Sequence, residues 1–155
     1  MTRTFGLSLL AIAVAFAVTV MASEKPTKEY QEVMRSNGAI IDISLGTNRN
    51  GGLPAEPGSL RVYTRAKDYD GIAKDAATLK ANFAKVETFW TQRTVDDAIN
   101  FSRAAVKAAT DLETAAKAKD DAGIAAAQRA IAATCASCHQ AHRVIVLTDG
   151  TFEIT

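Results

Sequence analysis

The chain contains little cysteine, proline or aromatic material, and it has almost no net charge. Only two of its 155 residues are Cys, three are Pro and 6% are aromatic. Two Cys cannot form a disulfide-dense scaffold, and the scarcity of aromatic and β-branched runs argues against an all-β protein. The 18 basic and 17 acidic side chains leave a formal charge of +1. This balance gives no electrostatic reason to expect binding to nucleic acid or to an anionic membrane.

The first 22 residues have the organisation of a secretory signal. Arg3 precedes a mainly apolar run over 5–20, and Ala22 provides a small residue at a cleavage site. A positive start, an apolar centre and a small-residue end are the three parts of such a signal. An uncleaved membrane anchor is the alternative, but the run is shorter than the about 20 residues that span a bilayer. We therefore expect export to a bacterial periplasm, cleavage after Ala22 and no stable membrane anchor.

Most of the remaining sequence has helical periodicity. Apolar residues recur at steps of three and four over 27–45, 68–89, 94–118 and 120–143, which predicts one buried face on each of four helices. Short breaks separate the last three helices and make them antiparallel neighbours, so the sequence predicts an all-α, antiparallel four-helix bundle. Its alanine-rich seams provide few large side chains to fill the core, and a large apolar prosthetic group would fill the remaining space. The clearest seam consists of Ile72, Ala76, Leu79, Phe83, Val86 and Trp90.

The segments outside the four helices are less regular. Gly, Pro and Asn residues over 46–59 predict a long loop, and 60–67 is ambiguous, with an extended approach to the next helix as one reading. Near the end, two β-prone runs flank Asp149-Gly150, which is typical of a hairpin turn. A small hairpin and a loosely docked tail both remain open. The predicted organisation is a signal over 1–22, a helical domain over 23–143 and a C-terminal extension over 144–155.

The motif that carries chemistry is Cys135-Ala-Ser-Cys138-His139. The pattern C-x-x-C-H is the attachment motif of c-type haem. Two thiols one helical turn apart can each form a thioether with one of the two vinyl groups of a haem, and the adjacent imidazole can bind the iron as its proximal ligand. The single motif therefore predicts one haem c, attached covalently through Cys135 and Cys138, with His139 on the iron.

Two other interpretations of the motif stay open. A C-x-x-C pair can be a dithiol redox site, although such a site normally begins a helix in a βαβ context and this pair comes late in a predicted helix. A zinc site needs four ligands, and only His139 and His142 are available to join the two thiols. These two His share one helix, which makes a closed tetrahedral site cramped. His142 is expected to be a neighbour of solvent or of a haem propionate and not a second ligand to the same iron.

A C-x-x-C-H motif near the C-terminus of a four-helix chain resembles the class II c-type cytochromes, which include cytochrome c′ and its low-spin relatives. The resemblance covers roughly 27–143 and includes the Arg that follows the motif His by four residues. It implies that Arg143 pairs with a haem propionate, with a solvated helix-end Arg as the alternative. The long loop over 46–65, the short break over 91–93 and the tail after Arg143 depart from the family pattern. Loop and tail either form a partner surface or restrict access to the haem.

The same resemblance implies a second axial ligand on the first helix. Low-spin members of the family carry a Met there, whereas cytochrome c′ carries a residue that does not bind the iron. Met34 shares the predicted inward face with Tyr30, Asn37 and Ile41, and it is the one Met that remains once the signal is removed. Pairing of His139 with a thioether favours electron transfer. The implied iron ligands are therefore His139 and Met34, and the alternative is an ordinary core Met.

Three functions follow from this interpretation. The first is a periplasmic mono-haem electron carrier that exchanges electrons with a redox partner protein of unknown identity. The second is a gas-binding protein of the cytochrome c′ type, in which the sixth iron position is open to nitric oxide or carbon monoxide. The third is a cytochrome subunit of a dehydrogenase complex. No acid–base pair or nucleophile is identified outside the predicted haem pocket, so an enzyme is not expected. Dimers are common in the family, which leaves a homodimer open.

Overall fold

A computed structural model describes residues 23–41, 59–147 and 151–155, and most of these residues are helical. The predicted signal and most of the predicted long loop lie outside the described residues. Among the helices that the structure describes, none has the length and apolar character needed to span a membrane. The elements in chain order are α1 (Lys28–Ile41), α2 (Ser59–Ala66), α3 (Tyr69–Thr91), α4 (Asp96–Lys117), α5 (Asp121–His142), β1 (Arg143–Val146) and β2 (Phe152–Ile154).

Helix α3 lies at the centre of the packing. It contacts α1, α2 and α4, and α4 in turn packs along α5. The connections over 92–95 and 118–120 are short, so α3, α4 and α5 run antiparallel to one another. This arrangement confirms the prediction of a mainly helical bundle, with α2 as an additional short helix. It also places the end of α5, which carries the Cys and His motif, beside the end of α3 and the start of α4.

Burial in the bundle follows the predicted periodicity of α3. Every residue of its predicted seam is buried, from Ala76 and Leu79 at 0% exposure to Phe83 at 4%. The buried side of α4 consists mostly of small residues, which allow the helices to approach closely. Larger apolar side chains of α3, α4 and α5 also belong to this core. The largest fully buried side chains are Trp90, Ile72, Leu79, Leu112, Ile124 and Ile131.

One of two predicted helix N-caps is confirmed. The sequence predicts caps at Thr94 and Asp120, since Thr and Asp side chains accept hydrogen bonds from the first helical turn. Asp120 does cap α5, because its carboxylate accepts hydrogen bonds of 3.1 and 3.0 Å from two backbone N–H groups. The prediction for Thr94 is wrong, because Val95 is the cap residue of α4 and no side chain caps it. Thr94 instead closes the preceding turn, with φ of 56° and a 3.1 Å backbone bond to Thr91.

The segment 60–67 forms most of α2, so an extended approach is the wrong interpretation. Leu60 is buried at 4% exposure, and Thr64 Oγ1 accepts a 2.7 Å hydrogen bond from Gln128 Nε2 on α5. These tertiary contacts stabilise an eight-residue helix that is too short to be stable alone. Helix α1 is described to Ile41, and its predicted continuation to residue 45 lies outside the described residues.

The C-terminal tail forms an antiparallel hairpin, as one of the two predictions for it required. Strand β1 pairs with β2, with a register irregularity between Arg143 and Ile145. Helix α5 ends at His142, one residue before its predicted end, because Arg143 already has extended backbone angles and starts β1. The predicted turn at 149–150 lies outside the described residues. The hairpin packs on the bundle through Ile154, which is 3% exposed.

Candidate functional site

The motif residues lie near the end of α5, on one face of that helix. Cys135, Cys138 and His139 are half-buried, and both Cys are free thiols. Spacings of three and four residues bring side chains to the same face of a helix. The preceding turns of α5 are anchored in the core by Ile124 and Ile131, which are 2% and 1% exposed. A packed helix therefore holds two thiols and an imidazole in a fixed arrangement.

Met34 approaches the motif from a different helix. It lies on α1, is half-buried and packs against the core. Two adjoining recesses meet at this point, and Met34, Cys138 and His139 are the described residues that line both of them. The structure therefore brings together the thioether and the imidazole that the sequence predicts as a pair of iron ligands.

The first recess, called the apolar recess here, lies between the helices. It encloses about 310 Å³ of space that is partly open to solvent. Its walls come from α1, α3, α4 and α5, so it lies inside the bundle and not on one helix face. Beyond the three shared residues, it is lined by Phe83, Val86, Phe101, Ser102, Ala105, Thr134 and Cys135. This lining is suited to an apolar group larger than a single side chain.

The second recess, called the edge recess here, lies toward the C-terminal hairpin. It has about 230 Å³ of space, also partly open, and Arg143 is part of its wall. Arg143 is also close enough to His139 for its charge to act on the imidazole. The other lining residues, beyond the three shared ones, are Tyr30, Trp90, His142, Phe152 and Ile154. A cationic group in a mostly aromatic wall is suited to an anionic group at the edge of a bound molecule.

The electrostatic environment of the two thiols does not favour dithiol redox chemistry. Burial raises the pKa of Cys135 to about 11. Burial, together with the nearby Cys135 and Asp97, raises the pKa of Cys138 to about 12. Reactive dithiol sites depend on the opposite shift, because the thiolate is the attacking form and its pKa is lowered there. Both thiols are therefore protonated at neutral pH.

The imidazole of His139 is held in its neutral form. Burial, and to a lesser extent the positive charge of Arg143, lowers its pKa to about 4. Its Nδ1 is buried and has no hydrogen-bond partner among the described residues. A buried polar atom without a partner costs free energy, and metal binding uses the neutral form of the ring. A neutral imidazole, a thioether and two protonated thiols on the walls of an apolar recess fit a covalently bound haem.

His142 is buried and not a solvent neighbour, contrary to one of the two roles expected for it. It is 9% exposed, and its ring lies 5.0 Å from that of Trp90. Its Nδ1 lies 2.8 Å from the backbone oxygen of Thr155, and its Nε2 lies 3.1 Å from a carboxylate oxygen of Asp97. The contact with Asp97 does not have the geometry of a hydrogen bond. These contacts join the end of α5 to α3, α4 and the tail.

Tyr30 is a site residue that helical periodicity places correctly on the inward face. It is 6% exposed, and its hydroxyl accepts a 3.1 Å hydrogen bond from Trp90 Nε1. Burial is the main reason that the pKa of Tyr30 is raised well above its usual value. Sequence reasoning missed Phe152 and Ile154 as wall residues. Their alternation around Glu153 indicates a strand, but no local pattern says what that strand covers.

Within the described part of the chain, no group of three or more His, Cys, Asp and Glu side chains is arranged to hold a metal ion. Comparisons of the chain with protein-family models, with curated proteins and with solved structures find no match.

Proposed function

We propose that the chain is an exported mono-haem c-type cytochrome of the class II kind that transfers electrons. The observation that carries this proposal is the meeting of Met34 with Cys138 and His139 on the walls of both recesses. Two thiols, an imidazole and a thioether are the side chains that a covalent haem with His and Met ligands requires. The role is electron transfer and not catalysis, since both axial positions are taken by side chains.

Cys135 and Cys138 are the attachment residues. Each thiol would add across one haem vinyl group, so that a carbon–sulfur bond forms, the vinyl double bond becomes single and the thiol hydrogen goes to the neighbouring carbon. The step consumes neither oxidant nor reductant. The spacing of three residues on α5 keeps both sulfurs on one side of the helix, where they can reach neighbouring groups of one macrocycle.

His139 and Met34 are the iron ligands in this proposal. They come from α5 and α1, which are both packed against the core, so their positions depend on the fold and not on a loop. A bound haem c supplies an iron that gains and loses one electron. Ligands on rigid helices keep the same coordination in both oxidation states, and a Met ligand raises the reduction potential.

In this proposal, each recess would bind a different part of the haem. The apolar recess would exclude water from the macrocycle through Phe83, Val86 and Phe101. Arg143 in the edge recess would pair with a propionate, and its charge also disfavours protonation of His139. The proposal further includes cleavage after Ala22, a periplasmic location, one redox partner protein, no nucleic acid and no membrane anchor.

The test is expression of the full chain in a host with c-type cytochrome maturation. We expect a mass equal to residues 23–155 plus one haem, and haem that remains attached through acid denaturation and organic extraction. A ferric spectrum that is low-spin, with the charge-transfer band of a Met-ligated haem, supports His and Met ligation. A bare polypeptide mass from a host that matures a control cytochrome overturns the proposal. A high-spin haem with rapid carbon monoxide uptake replaces it with the gas-binding function.

A further inference from the structure

The C-terminal hairpin covers the edge recess with two apolar side chains. Ile154 is 3% exposed and belongs to the core, and Phe152 packs against it. The ring of Phe152 contacts that of Tyr30 edge to face, with 6.2 Å between centroids. Both side chains line the recess that Met34 and His139 also line. The tail is therefore a wall of the candidate haem site.

The backbone of β2 is fixed to the segment that precedes α1. Glu24 and Ile154 exchange two backbone hydrogen bonds, of 2.8 and 2.9 Å. The Glu24 carboxylate also accepts a 2.8 Å hydrogen bond from Arg93 Nε, which follows α3. The strand that carries Phe152 is thus tied to the helix that carries Met34.

The end of the tail is fixed to the helix that carries His139. The backbone N–H of Thr155 donates a 3.0 Å hydrogen bond to the carbonyl oxygen of His142. The ring of His142 returns a second contact of 2.8 Å from Nδ1 to the Thr155 oxygen, and Trp90 packs against that ring. Because the tail is held at both ligand-bearing helices, its two apolar side chains keep a defined position beside Met34.

We propose that Phe152 and Ile154 are the residues that determine ligand specificity at this site, by excluding small neutral diatomic molecules such as carbon monoxide. This inference rests on the proposed function. A diatomic ligand could bind the iron only after the Met34 sulfur had left it. The displaced Met34 side chain would then need space beside the haem. The edge recess borders Met34, and Phe152 and Ile154 form part of its wall, so they limit the space left for a displaced thioether beside a bound haem. The wall therefore stabilises the Met-ligated state and slows its replacement.

The experiment compares ferrous haem-loaded wild type with Phe152→Ala and Phe152→Leu in stopped-flow binding of carbon monoxide. Removing the ring enlarges the recess, so we expect carbon monoxide uptake by Phe152→Ala to be faster by about tenfold or more, which corresponds to a barrier lower by about 1.4 kcal/mol. Phe152→Leu keeps most of the bulk and is expected to lie between the two. The resting ferric spectrum of each variant reports whether Met34 is still bound.

Tyr63→Ala is the matched control, because Tyr63 on α2 is also a partly buried aromatic packed on the core and lines neither recess. Equal acceleration in this control and in Phe152→Ala shows general loosening and overturns the inference. Equal rates for Phe152→Ala and wild type, with Met ligation intact, overturn it while leaving the proposed function standing. A wild type without haem, or without Met ligation, overturns both. If Phe152→Ala does not fold, the comparison of Phe152→Leu with wild type decides.

Discussion

At the scale of single residues, the candidate site depends on where a common core side chain, methionine, is placed. Met34 is the residue of α1 that lies beside Cys138 and His139 in both recesses. A thioether is a soft, neutral ligand, and burial beside an apolar wall does not penalise it as it penalises a charged group. The adjacent Val33 is 7% exposed and lines neither recess, so it serves only the core.

On the proposed function, we predict that Met34→Leu turns the haem-loaded protein from low-spin to high-spin. Leucine conserves most of the methionine volume, so the change removes the sulfur and little of the packing. The expected results are loss of the Met–iron charge-transfer band in the ferric spectrum and faster carbon monoxide binding in the ferrous protein. Val33→Ala is the control, because it removes core volume next to Met34 and is expected to keep the wild-type spectrum. An unchanged low-spin spectrum in Met34→Leu contradicts Met ligation.

At the scale of elements, the helices are joined by side-chain contacts at their ends. Lys67, in the link between α2 and α3, places Nζ 2.8 Å from a carboxylate oxygen of Asp121 at the start of α5. The hydroxyl of Tyr69 donates a 3.0 Å hydrogen bond to the other oxygen of that carboxylate. The hydrogen bonds from Lys67 and Tyr69 hold the pKa of Asp121 below its ordinary value. The start of α5 is therefore tied to the start of α3.

We predict an acid-dependent loss of stability from this contact. The unfolded chain binds a proton at Asp121 at a higher pH than the folded chain does, so the stabilisation is complete above about pH 4, the usual Asp value. It is lost as the pH falls through the lowered folded pKa. Lys67→Gln removes the largest cause of the shift and is expected to raise the pKa of Asp121 and to weaken the acid dependence of the melting temperature.

The measurements are an NMR titration of the Asp121 carboxyl and melting temperatures between neutral and acid pH. Lys28→Gln is the control, because Lys28 is 89% exposed and lies 3.8 Å from its partner carboxylate within the same helix. It is expected to leave both measurements at their wild-type values. An Asp121 pKa that is the same in wild type and in Lys67→Gln contradicts the assignment.

At the scale of the whole molecule, one core supports the bundle and the site lies at one end of it. Leu79, Leu112 and Ile131 are at most 1% exposed and pack away from the two recesses. The two recesses lie at the end of the bundle where the last turns of α5, Met34 of α1 and the hairpin come together. Packing away from the recesses therefore supports the helices that carry Met34 and His139.

We predict that Leu79→Ala destabilises the protein by about 2–5 kcal/mol, the range for removing a buried leucine side chain and leaving a cavity. Leu79 is fully buried on α3, the helix that contacts most of the others. The control is Val62→Ala, since Val62 is 46% exposed and its truncation is expected to cost less than about 0.5 kcal/mol. Denaturant unfolding of the haem-loaded proteins gives both values. Equal losses in the two variants contradict the assignment of Leu79 to the core.

The amino-acid sequence by itself determined the four long helices and the C-x-x-C-H motif. The seam of α3 was predicted residue by residue, and its members from Ile72 to Trp90 are buried as expected. Helical periodicity is a local property that repeats every three or four residues, so it can be read without knowing the neighbours. The motif from Cys135 to His139 is likewise local, because its chemistry depends on one turn of one helix.

Only the tertiary structure decided which elements meet. The short helix α2 and the burial of His142 depend on contacts with residues far away in the sequence, such as Gln128 and Thr155. Thr94 has a side chain that can cap a helix, but it has a positive φ in the turn before α4 and does not cap that helix. The sequence of the tail allowed either a strand pair or a loosely docked segment. The pairing of Ile154 with Glu24 holds the hairpin against the edge recess. Periodicity fixes the inward face of a helix or strand, whereas the partner of that face follows from packing the whole chain.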